Sequence, residues 1–276
     1  MDIHELDNVF NWTMTTRKNS DIFLPYGRIV KIKDHPPPGP ELDALIQEFG
    51  QKNQHLAQNR SNFPNAAWFV SNCETQSHRE LLVNELLNYM TVDVFGTCSK
   101  LYNKNHEEKT CEKSDTYNGS KESCYKMLEK HYRFYLSFEN AICQDYVTEK
   151  FFRPMEHLVI PLTLNGADMK NIAPPHSVIN SLDFDTTLQL IQFLEKLSKD
   201  NVLYASYFWW KDYYAVRNDH IDRAQSYCDL CAKLNNPTEQ PKYYGDMYKW
   251  WIKDSNCQRY SRDLSLIYQP PRDYNG

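Results

Sequence analysis

Arg79 and Lys150 are the cations best placed for chemistry in this sequence. Each stands near the start of a predicted helix that follows a predicted strand with a polar end. Those ends are Ser71-Asn72-Cys73 and Glu139-Asn140, and a third lies at Asn165-Gly166. In an open parallel sheet, ligands sit outside the carboxyl ends of the strands. The first amides of a helix add a partial positive charge that suits a phosphate. Composition alone reads the same two side chains as solvated helix-surface charges. With no GxGxxG and no Walker-type glycine-lysine loop, residue chemistry reaches an α/β domain with an anion site and no named nucleotide.

Eight cysteines, Cys73, Cys98, Cys111, Cys124, Cys143, Cys228, Cys231 and Cys257, permit a disulfide framework whose connectivity sequence leaves open. Cys228-Asp-Leu-Cys231 is the one tight pair. It lacks a second pair or histidines at zinc spacing, and it lies too late in the chain for a redox motif, so disulfide pairing is its plainer reading. Sequons at Asn11, Asn59 and Asn118 agree with an oxidising, secretory compartment. Asp183-Phe-Asp185 imitates a DxD metal motif but precedes a helix, where Asp185 reads as an N-cap. Trp209 and Trp210 read as core packing before sugar stacking, and His176 has no catalytic role.

The elements that must position these groups follow from periodicity. His35-Pro-Pro-Pro-Gly-Pro40 reads as a linker, and Leu42, Leu45, Ile46 and Phe49 share one helix face. Strands are expected at 67–70, 92–95, 132–138, 159–164 and 177–179, with helices at 79–90, from about 148, and at 188–197. Residues 99–123 lack an apolar period and read as a surface insertion. Strands separated by helices imply parallel crossovers, hence a doubly wound α/β domain. The composition, 41% hydrophobic and 24% charged, is that of a globular chain. The net charge of −5 argues against a nucleic-acid partner. No apolar run approaches the roughly 20 residues of a membrane span, and MDIHELDNVF does not read as a signal peptide.

Four segments carry a resemblance. Phe10 to Arg17 with Ser20 to Gly27 (FNWTMTTR and SDIFLPYG) resembles the "FNWTMTYR…SDIxxPYG" passage of the α1,3/4-fucosyltransferases. Trp68-Phe-Val-Ser-Asn-Cys73 with Arg79 is similar to that family's "WxVSNC…R". YRFYLSFENAICQDYVTEK, from Tyr132 to Lys150, resembles its most diagnostic stretch, and Ala173-Pro-Pro-His-Ser177 with Asp183-Phe184 its "APPHSYIxxxDF". The likeness covers roughly residues 8–232. The segment Tyr244 to Trp251 with Cys257 resembles the tails of invertebrate core α1,3-fucosyltransferases.

The resemblance implies a GT-B arrangement with GDP-fucose in a Rossmann-like C-terminal lobe. It divides the chain into residues 1–35, a remnant of the acceptor-binding lobe; 36–64, a Pro-rich linker and helix; 65–232, the GDP-fucose-binding domain; and 233–276, a tail. It implies an inverting transfer of fucose in α1,3 linkage to N-acetylglucosamine of glycoprotein N-glycans. Arg79 and Lys150 would neutralise the diphosphate, and Asn140, Tyr146 and Glu149 would bind phosphate, ribose or fucose. Glu149 would hold a hydroxyl or stabilise charge at the anomeric centre. No metal is obligatory, with stimulation by Mn²⁺ left open. The implied setting is the Golgi lumen, as a type II membrane protein anchored by a segment upstream of this chain. The family's general base, a glutamate in an "ESP"-like motif, is also expected upstream of Met1. The competing expectation is therefore a donor-binding fragment without turnover. Thr16, Asn165-Gly-Ala-Asp-Met169 and Val178 depart from the family pattern, which bears on donor affinity. Without the rest of the acceptor lobe, Phe10, Trp12, Ile22 and Phe23 are expected to lack packing partners.

Overall fold

The computed structural model describes residues 3–58, 60–103, 105–110, 119–217 and 220–268. The sequons at Asn59 and Asn118, and Cys111, lie outside the described residues. Five parallel strands form the main sheet: β1 (Asn65–Phe69), β2 (Thr91–Phe95), β3 (Phe134–Phe138), β4 (Ile160–Leu164) and β5 (Ile179–Asn180). Their spatial order is β2-β1-β3-β4-β5. Every residue of β3 and β4 is buried, as a parallel sheet covered on both faces requires. Alternation sorts the side chains: Phe134, Leu136 and Phe138 join the core on one face, and Tyr135 joins Ala67, Phe95 and Leu128 on the other. The expected doubly wound α/β sheet is present.

The α-helices are α1 (Pro40–Asn53), α2 (Arg79–Leu86), α3 (Gly119–His131), α4 (Glu149–Met155), α5 (Thr187–Lys199), α6 (Asn201–Ser206), α7 (His220–Leu234) and α8 (Met247–Trp251). Helix α1 lies so close to α6 that a Cβ on Gly50 would meet the Val202 carbonyl oxygen at 2.5 Å. Helix α2 ends at Leu86, earlier than expected, yet Met90 still packs in the core beside Leu82 and Leu86. Thr186, not Asp185, caps α5: its hydroxyl accepts from the Gln189 amide, while the Asp185 amide donates to the Gln189 side chain at 3.0 Å. Either oxygen-bearing residue suits a cap; the chain's path selects the second. The insertion expected to be irregular is partly ordered, with a short 3-10 turn at Thr97–Leu101, a bridge between Gly96 and Lys109, and α3.

Residues 3–30 are not left without partners. Arg28–Lys31 pairs antiparallel with Tyr214–Arg217, and Met14–Thr15 pairs with Ile22–Phe23. The Asn8 amide donates to the Tyr244 carbonyl and the Tyr244 amide to the Phe10 carbonyl. The Lys233 ammonium sits 5.0 Å from the Trp12 ring, and Ile22 is buried. The expectation of unpaired apolar side chains is therefore corrected: the C-terminal residues and α7 supply the partners. Phe10 does remain 40% exposed.

Two disulfides join described residues, Cys73–Cys98 and Cys143–Cys257. Cys228 and Cys231 are instead free, exposed thiols on α7, which overturns their expected pairing. No described helix is long and apolar enough to cross a membrane.

Candidate functional site

The sheet opens where its order reverses. Strands β1 and β2 pair over five residues, as do β3 and β4, but β1 and β3 are in register only at Ala66–Phe134 and Ala67–Tyr135. Beyond that point the two strands part, at the topological switch where ligands bind in such sheets. A cavity of about 670 Å³ lies there, lined by Val70, Ser71 and Asn72 after β1, Gly96 and Thr97 after β2, Asn140 after β3, and Arg79, Glu149, Lys150 and Arg153 from α2 and α4.

Arg79 spans the opening. Only 2% exposed, it donates from Nη1 to the Phe138 carbonyl at 2.6 Å and from Nη2 to the Asn72 carbonyl at 3.0 Å. Its guanidinium lies 5.4 Å from the Trp68 ring centroid. Burial lowers its pKa from the ordinary arginine value, and Glu139 opposes that shift. Nε is buried without a partner, and so is Asn140 Oδ1. Buried polar atoms are seldom left unpaired, so the cavity holds one donor and one acceptor that an occupant can satisfy.

Lys150 is held from below. Glu139, fully buried, accepts from the Thr148 amide at 2.8 Å and from the Thr148 hydroxyl at 2.8 and 3.0 Å. Thr148 is the N-cap of α4, and its Oγ1 accepts from Lys150 Nζ at 3.0 Å. Lys150 Nζ also lies 3.2 Å from Glu149 Oε1 and 3.6 Å from Glu139 Oε2, with its side chain 20% exposed. Burial works to raise the Glu149 pKa, but Lys150 and nearby hydrogen bonds hold it below the usual carboxylate value. Helix α4 has seven residues, so side-chain charge rather than a long helix dipole supplies the field here.

The cavity thus brings together Arg79, Asn140, Glu149 and Lys150. Tyr146 is not among its lining residues. It stands alongside in a half-buried position, its pKa pushed up to about 12 by burial and then by Glu139. Sequence reasoning gave no positioning role to Glu139 and overlooked Arg153, Glu108, Phe95 and Tyr125, which are among the other residues of the walls. The strand-end rule applied to Phe95-Gly96 would have found the β2 wall. Glu108 comes from the insertion and Tyr125 from α3 beyond it, and neither carries a local signal. Trp209 and Trp210 lie in the core, Trp209 donating to the Pro175 carbonyl at 2.8 Å. His176 is 2.8 Å from the Ser206 hydroxyl, away from the cavity. Among the described residues, no three His, Cys, Asp or Glu side chains converge to hold a metal ion.

Burial pushes the Glu139 pKa above the ordinary carboxyl value, with Lys150 pulling the other way. A raised folded pKa means that the carboxyl's contribution to stability is fully present below about pH 4.3, the unfolded value. It is lost as pH rises through the folded value. A glutamine side chain does not titrate, so in Glu139→Gln the melting temperature relative to the parent is expected to improve as pH is raised from about 4 to about 8. A difference that stays flat across that range contradicts the raised pKa.

Residues 58–250 match the family model described as glycosyltransferase family 10 (fucosyltransferase) C-term. The chain is 35% identical to α-(1,3)-fucosyltransferase C of Drosophila melanogaster, over 94% of this chain and 58% of that protein. It is 31% identical to glycoprotein 3-α-L-fucosyltransferase A of the same organism, over 92% of this chain and 45% of that protein. The chain therefore spans about half the length of these curated relatives. A crystal structure of an α1,3-fucosyltransferase with GDP-fucose is similar at a TM-score of 0.47 and 18% identity, covering 75% of this chain and 56% of that one.

Proposed function

This chain belongs to glycosyltransferase family 10, and on that premise we propose that its switch-point cavity binds GDP-fucose for transfer of L-fucose in α1,3 linkage to N-acetylglucosamine of glycoprotein N-glycans. The observation that carries the reading is the cavity itself, where Arg79 and Lys150 come together at the mouth of a parallel sheet with Arg79 Nε and Asn140 Oδ1 left unpartnered. We assign donor binding to residues 65–232, as the C-terminal lobe of a GT-B arrangement.

In an inverting single displacement, the acceptor oxygen attacks C1 of fucose while the bond from C1 to the β-phosphate oxygen breaks. GDP departs with the bonding pair and gains negative charge. Lys150 neutralises that charge, with Arg79 behind it as a second fixed cation. Tyr146 offers a hydroxyl for the phosphate, ribose or sugar, and Asn140 Oδ1 an acceptor for a ribose or sugar hydroxyl. Glu149, held ionised, accepts from a fucose hydroxyl or stabilises positive charge at C1. We assign no described residue as the base that takes the acceptor's proton, and this reading requires no obligatory metal.

Two disulfides suit an oxidising lumen, in keeping with a Golgi enzyme. The glycoprotein acceptor is favoured by the name of the second Drosophila relative and by the tail motif around Trp250 and Trp251. The test is incubation with GDP-fucose and either a trimmed N-glycan core or N-acetyllactosamine, read by mass spectrometry. Fucose on the core glycan alone is expected. The reverse preference overturns the acceptor assignment, and GDP binding without transfer to either leaves a donor-binding protein.

A further inference from the structure

We infer that the C-terminal segment Ser255–Tyr260 is a strap that positions the donor loop between β3 and α4, with Cys257 as its positioning residue acting through Cys143. The inference rests on the donor-binding reading above. The loop from Glu139 to Thr148 has no regular structure and carries Asp145 at a φ of 62°, yet it must present Asn140 at one end and Lys150 just past the other. Something has to hold it.

The C-terminal segment supplies that hold at three successive points. Cys257 is bonded to Cys143. On either side of the bridge, the Gln144 amide donates to the Ser255 carbonyl at 2.9 Å and the Gln258 amide to the Ile142 carbonyl at 2.7 Å. The Tyr260 amide then reaches the other wall, donating to the Ser77 carbonyl at 2.8 Å. Ser77 is itself tied to the loop: its amide donates to the Asn140 carbonyl at 3.0 Å and its hydroxyl to the Glu139 carbonyl at 2.7 Å. The strap thus fixes the backbone of Asn140 while leaving its side-chain oxygen unpartnered in the cavity.

The opposite side of the loop is closed as well. A Cβ on Gly166 would fall 2.9–3.0 Å from the backbone atoms of Cys143, so the loop after β4 presses backbone to backbone on the residue that the strap holds. The strap has its own anchorage: Tyr260 is fully buried and its hydroxyl donates to Glu85 of α2 at 2.7 Å. Arg17 donates to Ser255 Oγ at 3.2 Å and to the Asp254 carbonyl at 3.1 Å. Ordering a loop before its ligand arrives removes that entropic cost from binding. A bridge three residues past Asn140 is well placed to do so.

The test is the double variant Cys143→Ser, Cys257→Ser, with GDP as the probe. GDP affinity by calorimetry is expected to fall about tenfold, at a temperature where variant and parent are both folded. Amide exchange should quicken across residues 139–148 while β3 and β4 keep their protection. In transfer assays the KM for GDP-fucose should rise with kcat within about twofold. Gln258→Pro, which deletes one strap hydrogen bond and keeps the bridge, is expected to weaken GDP about threefold. It decides the matter if the double variant does not fold. Unchanged GDP affinity in the folded variants overturns the strap and leaves the donor site standing. A parent that binds no GDP overturns the donor site and the strap with it.

Discussion

Lys150→Ala will weaken GDP binding at least about 30-fold, the lower end of the roughly 2–5 kcal/mol lost when one partner of a desolvated, hydrogen-bonded charge pair is removed. The structure already shows how the ammonium is prepared. It rests on Thr148 Oγ1 at 3.0 Å, which in turn is held by the buried Glu139. A diphosphate meets a cation whose direction is set before it arrives. The loss has a second source, because the variant leaves Glu139 buried with its nearest cation gone. Lys150 then no longer offsets the burial that raises the Glu139 pKa, so the carboxyl that holds Thr148 loses its main compensating charge. Calorimetric titration with GDP on the parent, Lys150→Ala and Lys150→Arg separates these effects, since Arg keeps the charge but not the compact ammonium. Affinity in Lys150→Ala equal to the parent's would remove the diphosphate from this cavity.

The second large effect is on stability. Arg79→Ala is expected to destabilise the fold by about 3–5 kcal/mol, because it strips two carbonyls of their donor and leaves Glu139 without a second nearby cation. In a chain of this size that corresponds to a melting temperature lower by roughly 10 °C. The reason lies in the sheet: β1 and β3 share only two registered pairs, and Arg79 ties their diverging ends together through Phe138 and Asn72. Arg79→Lys should recover part of the loss, since an ammonium can reach one carbonyl but does not bridge both in a fixed fork. A melting temperature for Arg79→Ala within a degree of the parent's would show that the strands are held by other means. GDP affinity measured on the same variants, below the transition, tests the proposed contribution of this cation to the site.

Much of this architecture was legible residue by residue. The face formed by Leu42, Leu45, Ile46 and Phe49 became α1, and each of the five expected strands is present within a few residues of its expected bounds. Thr148 marked the start of α4. Such features depend on windows of roughly four to eight residues, in which backbone preference and hydrophobic period act together. The polar ends of β1 and β3 were visible for the same reason, and so were the two cations beyond them.

What only the tertiary structure decided involves residues far apart in the chain. The order β2-β1-β3 makes the ends carrying Asn72 and Asn140 neighbours across a crevice. Burial then turns Arg79 from a helix-surface charge into a brace and Glu139 from a strand terminus into the support of Lys150. Cys143 found Cys257 across 114 residues, whereas Cys228 and Cys231, the pair nearest in sequence, are free, exposed thiols on α7. Residue types and spacing determined which groups could do chemistry and which local elements would carry them. Desolvation and bridging depend on which distant segments come to pack together, and no local window of this chain contains that information.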